Sequence, residues 1–164
     1  MELPSPAPIH ILMRFADKLL SIDDTIAEHN RLIARHGTVW IGKLGKPLAE
    51  RHIMRVNEQC RQNIPTYLYL VQKKGTAYQA YRATVVRMSR ALPKREQNLV
   101  PHYYEERKIT RYVGFWTKLS GITQIEKGQL FELHIASSLF AVPDTLARSM
   151  AALFVVREGQ GIRS

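Results

Sequence analysis

Hydrophobic residues fall at two periods along this chain. From residue 22 to residue 33 they recur at helical spacing, with Ile22, Ile26, His29 and Ile33 on one face. Ser21-Ile22-Asp23-Asp24-Thr25 supplies a polar cap with carboxylates in the first turn, and Gly37 supplies the stop, which predicts a helix over 23–36. His29 lies on the apolar stripe and reads as a satisfied core histidine. A second helix is predicted over 48–62, after Pro47. Ala49, Ile53, Val56 and Cys60 form its buried stripe, while Arg51, Arg55, Glu58 and Arg61 face outward as solvated surface.

Elsewhere the period shortens to that of strands, or the apolar run is continuous. Strands are predicted over 9–15, 38–43, 67–71, 78–88, 111–117, 130–135 and 151–156, with a helical turn over 145–150. The two strands around Lys73-Lys74-Gly75-Thr76 form a hairpin, since β-branched and aromatic residues fill both arms and a short glycine-containing loop joins them. In the strand near 115, alternation puts Val113 and Phe115 in the core. It leaves Tyr112, Gly114 and Trp116 on the other face, where Gly114 opens space for a flat ligand. Residues 89–110 read as a long loop carrying Arg90, Lys94, Arg95, Arg107 and Lys108 beside His102, Tyr103 and Tyr104.

A chain of 164 residues suits one domain with a sizeable core. Charge changes the picture more than length does. Lys and Arg number 24 against 14 Asp and Glu, a net charge of +10, which favours a polyanionic partner. Nucleic acid comes first; a membrane surface is not expected, because no cationic amphipathic helix stands out. The amino terminus has three prolines where a signal peptide would be apolar, and no run approaches the ~18 apolar residues of a membrane span. A cytoplasmic location is the default.

Catalytic constellations are hard to find. The single cysteine, Cys60, excludes an internal disulfide framework, and six scattered histidines show no metal-ligand spacing. Gly45-Lys46 is followed by Pro47 where a phosphate loop needs Ser or Thr, and position 40 is Trp where its first glycine would stand. There is no Gly-x-Ser-x-Gly elbow. The expectation is no enzyme, no metal and no cofactor. What remains is aromatic and basic: rings to stack on bases and cations to meet phosphates. Lys46, Lys73, Lys74, Arg87, Arg90, Lys94 and Arg95 are the candidate phosphate contacts.

One family unites these features. An apolar strand ending in lysine (Val39 to Lys43), a helix, the hairpin from Tyr67 to Ala83, a long loop, then Val113-Gly114-Phe115-Trp116-Thr117-Lys118-Leu119 with Gly121-Ile122 resembles the EVE/YTH group of the PUA-like superfamily. It is also similar to the amino-terminal DNA-binding domains of McrB-type modification-dependent restriction proteins. The resemblance implies an α+β fold, a small mixed β-barrel with flanking helices. The whole chain would be one such domain: a lead over 1–8, an added strand and helix over 9–37, the barrel over 38–156 and a tail over 157–164. It further implies an aromatic cage for a modified, flipped base in DNA. Lys43 falls at the strand end beside the pocket, His102, Tyr103 and Tyr104 on the loop that forms one wall, and Trp116 on the strand after it. Trp40 lies either in the pocket or in the core. The family's Ser or Glu-Pro after the strand lysine is replaced by Leu44-Gly45. Expected partners are modified DNA and a nuclease or motor subunit. The alternatives are an RNA-binding PUA-like module and an enzyme of the same superfamily acting on a nucleobase or nucleotide.

Overall fold

The computed structural model describes residues 7–15, 25–45, 47–74, 77–135 and 153–158. Within them seven strands form one sheet: β1 (His10–Phe15), β2 (Val39–Leu44), β3 (Tyr67–Lys74), β4 (Ala77–Ser89), β5 (Val113–Ile125), β6 (Leu133–Ile135) and β7 (Leu153–Glu158). Their spatial order is β2-β5-β4-β3-β1-β7-β6. The pair β1–β3 is parallel and all the other pairs are antiparallel. This is the curled mixed sheet of a small α+β barrel, as the sequence predicts. β1, read from sequence as an addition, lies inside the sheet between β3 and β7.

Helices α1 (Thr25–His36) and α2 (Glu50–Arg61) cover one face of the sheet. That face holds the main core, with Ile11, Met13, Ile41, Leu70, Phe115 and Leu119 from strands meeting Ile26 from α1 and Ile53 and Val56 from α2. Of the predicted α2 stripe, Ile53 and Val56 are buried and Cys60 is half-buried, but Ala49 is exposed at the helix start. Gln59 takes a buried place instead. Its carboxamide accepts from the Ile9 N–H and donates to the Ile9 carbonyl, both at 2.9 Å, tying α2 to the start of β1. A buried amide satisfied on both sides holds register without the cost of an orphaned polar group.

Several predicted boundaries move. β5 runs on to Ile125, eight residues past the predicted end, because a bulge at Ser120 lets it keep pairing with β4 through Ile122 and Thr123. The strand expected over 130–135 shrinks to Leu133–Ile135. A 3-10 turn (Lys127–Glu132) precedes it, started by a capping box in which Glu126 and Gln129 satisfy each other's backbone N–H groups. The last strand, Leu153–Glu158 among the described residues, runs two residues past its predicted end, and 151–152 lie outside the described residues. The predicted turn over 145–150 and the residues before Thr25 in the first helix lie outside the described residues, as does the tail beyond 158. Among the described residues no helix is long and apolar enough to cross a membrane.

Candidate nucleic-acid interface

The face of the sheet opposite the two long helices carries the aromatic residues. Strand alternation sends Val39 and Ile41 into the main core and turns Trp40 and Gly42 the other way. On β5, Phe115 enters the core and Trp116 faces outward, directly opposite Gly42. Gly42 is required there: a Cβ would stand 2.9 Å from both methyls of Val113 and 3.0 Å from the Trp116 ring. Val113 lies on the Trp116 side, against simple alternation, because the β2–β5 register slips between Lys43 and Leu44.

Residues 90–112 fold back over this patch as short turns instead of open loop. They include a 3-10 stretch (Lys94–Leu99), a one-turn helix α3 (Tyr103–Glu106) and a 3-10 turn (Thr110–Tyr112). α3 delivers Tyr103 and Tyr104 together, stacked with centroids 4.5 Å apart and planes 23° apart. Tyr104 then meets Trp116 at 5.3 Å. Exposures of 0% for Trp40, 9% for Tyr103, 3% for Tyr104 and 3% for Trp116 make these four rings a second small core. No base fits between the two tyrosines, since a ring needs about 3.5–4 Å to each neighbour.

Tyr104 is fixed at its polar end. The Gly42 N–H donates to its hydroxyl at 2.9 Å, and His29 Nε2 lies 3.5 Å away. His29 Nδ1 sits 2.7 Å from the Thr25 carbonyl oxygen, which can only accept, so Nδ1 carries the hydrogen and Nε2 is left as an acceptor for the Tyr104 O–H. Burial drives the His29 pKa down to about 4, and burial likewise raises that of Tyr104.

Tyr104 separates two hollows. The outer one, about 590 Å³, is floored by Tyr104 and Trp116 and edged by Arg90, His102, Gln97 and Glu105. The inner one, about 210 Å³, lies among Phe15, Thr25, Lys43, Tyr103 and Ile109. The residues named from the sequence are thus divided. Trp116 and His102 face the outer hollow, Lys43 and Tyr103 the inner, and Tyr104 both. Lys43 donates to the Leu44 carbonyl at 2.8 Å, and burial lowers its pKa. Trp40 is on the wall of neither. Its ring has Arg87 and Lys118 each 5.9 Å from the centroid, and its indole N–H has no hydrogen-bond partner.

Gly114 does not open space for a ligand. A Cβ there would lie 2.6 Å from the Gly45 carbonyl oxygen and 3.0 Å from the Pro47 backbone, so the glycine admits the turn after β2. Tyr112, expected beside Trp116, is 56% exposed under Arg111.

The predicted phosphate contacts do not form one patch. Arg90 is ion-paired with Glu50, while Lys94 and Arg95 are exposed on the 3-10 stretch beside the outer hollow. Lys73 pairs in register with Tyr78, and nine residues of β4 separate Tyr78 from Arg87, about 30 Å of strand. Lys46 and the side chains of Lys73 and Lys74 lie outside the described residues. Among those described, no three His, Cys, Asp or Glu residues cluster as metal ligands.

A protein-family model described as Pua-like matches residues 11–150. The chain belongs to the Pua-like family. Membership supports binding of nucleic acid or a nucleobase in general terms. The match begins inside β1, so the Pua-like unit takes in the strand and helix that the sequence reading set apart. No curated protein and no solved structure matches the chain significantly. Sequence reasoning missed the parts of this Pua-like site that come from far along the chain: Phe15, Thr25 and His29. The one available clue was His29 itself, a polar ring on an apolar stripe.

Proposed function

We propose that this Pua-like protein is a non-catalytic module that receives one modified base, extruded from DNA, in the outer hollow. The reading rests on one observation: Tyr104 and Trp116 floor a single open hollow whose edge carries a cation, Arg90, and hydrogen-bonding groups. Its volume of about 590 Å³ equals roughly twenty waters at about 30 Å³ each, ample for one nucleoside. The base lies against the surface that Trp116 and Tyr104 present to the hollow. Gln97 offers its polar edge both a donor and an acceptor, and Glu105 offers an acceptor. Leu92, Val100 and Val113 supply an apolar lobe. A methyl group buried there gains about 0.8 kcal/mol, roughly fourfold in affinity, over the unmodified base. Extrusion costs a few kcal/mol, which hydrogen bonds to Gln97 and Glu105, apolar contact with this lobe and phosphate contacts offset. In keeping with the McrB-type resemblance, the module would direct a nuclease or motor partner to such sites.

The test is a binding screen of DNA and RNA oligonucleotides, each carrying one modified or unmodified base, against the parent and Gln97→Ala. The expected result is a preference for modified DNA that Gln97→Ala reduces. Equal binding of all oligonucleotides, or binding confined to RNA, would overturn the proposal. Incubation with a nucleotide pool followed by mass spectrometry tests the absence of catalysis, which any converted nucleotide would refute.

A further inference from the structure

An open groove of about 1100 Å³ runs between α2 and β7. Arg51 and Arg55 stand on its α2 side, Arg157 on its β7 side and Arg61 at its far end. From Arg51 to Arg61 is ten residues of helix, about 15 Å, the length of about four phosphates of a stacked strand. The acids nearby are already engaged. Glu58 binds Arg61 at 2.6 Å and Gln62 at 3.0 Å, and Glu50 pairs with Arg90. Neither Arg51 nor Arg157 has an acidic partner among the described residues, and the buried Nε of Arg157 has no hydrogen-bond partner. Burial, and after it the Arg51 charge, lower the pKa of neighbouring His52. Between the cations the groove is apolar, with Ile9, Leu153 and Phe154 on its walls and Met54 61% exposed.

The groove adjoins the outer hollow. Arg90, on the edge of that hollow, reaches Glu50 in the first turn of α2 and lies 3.4 Å from the Leu48 carbonyl. We infer that the α2–β7 groove carries the single nucleic-acid strand flanking the base in the hollow. Arg51, Arg55 and Arg157 meet its phosphates, and Met54 and Leu153 lie beneath its bases. A cationic groove that tracks the backbone is how a strand is held without sequence preference. The inference rests on the proposed function for the hollow, but it assigns a separate surface, one whose arginines the sequence reading left to solvent.

The experiment compares Arg51→Gln/Arg55→Gln with a control of equal charge, Arg31→Gln/Arg35→Gln on α1. Both bind a single-stranded 12-mer, with and without the modified base, across a salt series, and both are melted. Each lost phosphate contact on a single strand flattens the plot of log affinity against log salt by about 0.7. The α2 variant should flatten it by about 1.4, the control should leave it unchanged, and the ratio of modified to unmodified binding should stay as in the parent. A trinucleotide, too short to reach along α2, should bind both variants equally. If the double variant does not fold, Arg51→Gln alone should flatten the slope by about 0.7. An unchanged slope, or equal flattening in the control, would overturn the inference. So would an α2 variant that binds oligonucleotides like the parent but loses polyglutamate, which would assign the groove to an acidic peptide. A parent showing no base preference, with slope lost only in the α2 variant, would refute the reading of the hollow and keep the groove.

Discussion

Tyr104 places its hydroxyl 3.5 Å from Nε2 of His29 and 3.4 Å from the Gly42 carbonyl oxygen, so α1 and β2 together steady the ring that divides the two hollows. Burial keeps His29 neutral in the fold. In the unfolded chain His29 takes up a proton near 6.5, in the fold only near 4. Between these values the unfolded state binds more protons, so this contribution to stability is complete above about pH 6.5 and is lost as pH falls toward 4. It amounts to about 3 kcal/mol. Denaturant unfolding from pH 7.5 to 4.5 should show the loss in the parent and a shallower pH dependence in His29→Gln. His10 and His52 shift in the same direction, so the difference between the two proteins isolates His29. Parallel pH profiles would remove His29 from the account.

Trp116 belongs to a packed cluster, so its truncation is first a stability change. Trp116→Ala should cost about 3–5 kcal/mol and lower all nucleic-acid binding together. His102→Ala, at an exposed edge of the same hollow, should leave the melting temperature near that of the parent and weaken only the base-selective part of binding. Melting curves run beside binding to modified and unmodified oligonucleotides check both. A stable Trp116→Ala protein would contradict the packing described above.

Gly114 and Gly121 lie on the same strand with opposite surroundings. A Cβ at Gly114 strikes backbone atoms at 2.6 and 3.0 Å, whereas one at Gly121 meets nothing within 4 Å. Gly114→Ala should destabilise by about 1–3 kcal/mol through overpacking. Gly121→Ala should be close to neutral by the same chemical denaturation measurement.

Lys94 and Arg95 adjoin the outer hollow, while the Lys73-Lys74 pair lies at the other end of β4. For a single-stranded oligonucleotide short enough to cover only the hollow and its flanks, Lys94→Ala/Arg95→Ala should flatten the salt dependence by about 1.4, two contacts at about 0.7 each. Lys73→Ala/Lys74→Ala should leave it unchanged. Equal effects would mean that bulk charge alone governs affinity.

The hairpin of β3 and β4 and the two long helices were legible in the sequence because each is set by local period and by Gly or Pro at its ends. So was the division of Phe115 and Trp116 between two faces. Val113 was not, since the pairing of β5 with β2, a strand seventy residues away, skips Gly114 and decides its side. The aromatic cluster was legible as a set of residues but not as an object. Tyr103 and Tyr104 were read as residues of a loop forming one cage wall, and a single helical turn makes them one stacked pair. Gln59 was passed over and Gly114 misread for a common reason: what each touches, Ile9 in one case and Pro47 in the other, is fixed only by tertiary approach.

The chain contains only two tryptophans, Trp40 and Trp116, and both lie in the cluster beneath the loop of residues 90–112. All of the indole emission of the protein therefore originates in this one cluster, with Trp116 on the wall of the outer hollow and Trp40 packed behind it. Trp40 has Arg87 and Lys118 near its ring and an indole N–H without a partner, so its spectrum is sensitive to local field. Trp116 is in contact with Tyr104. An oligonucleotide that settles in the hollow announces itself as quenching or a wavelength shift in the unlabelled protein, and a Trp40→Phe variant assigns what remains to Trp116.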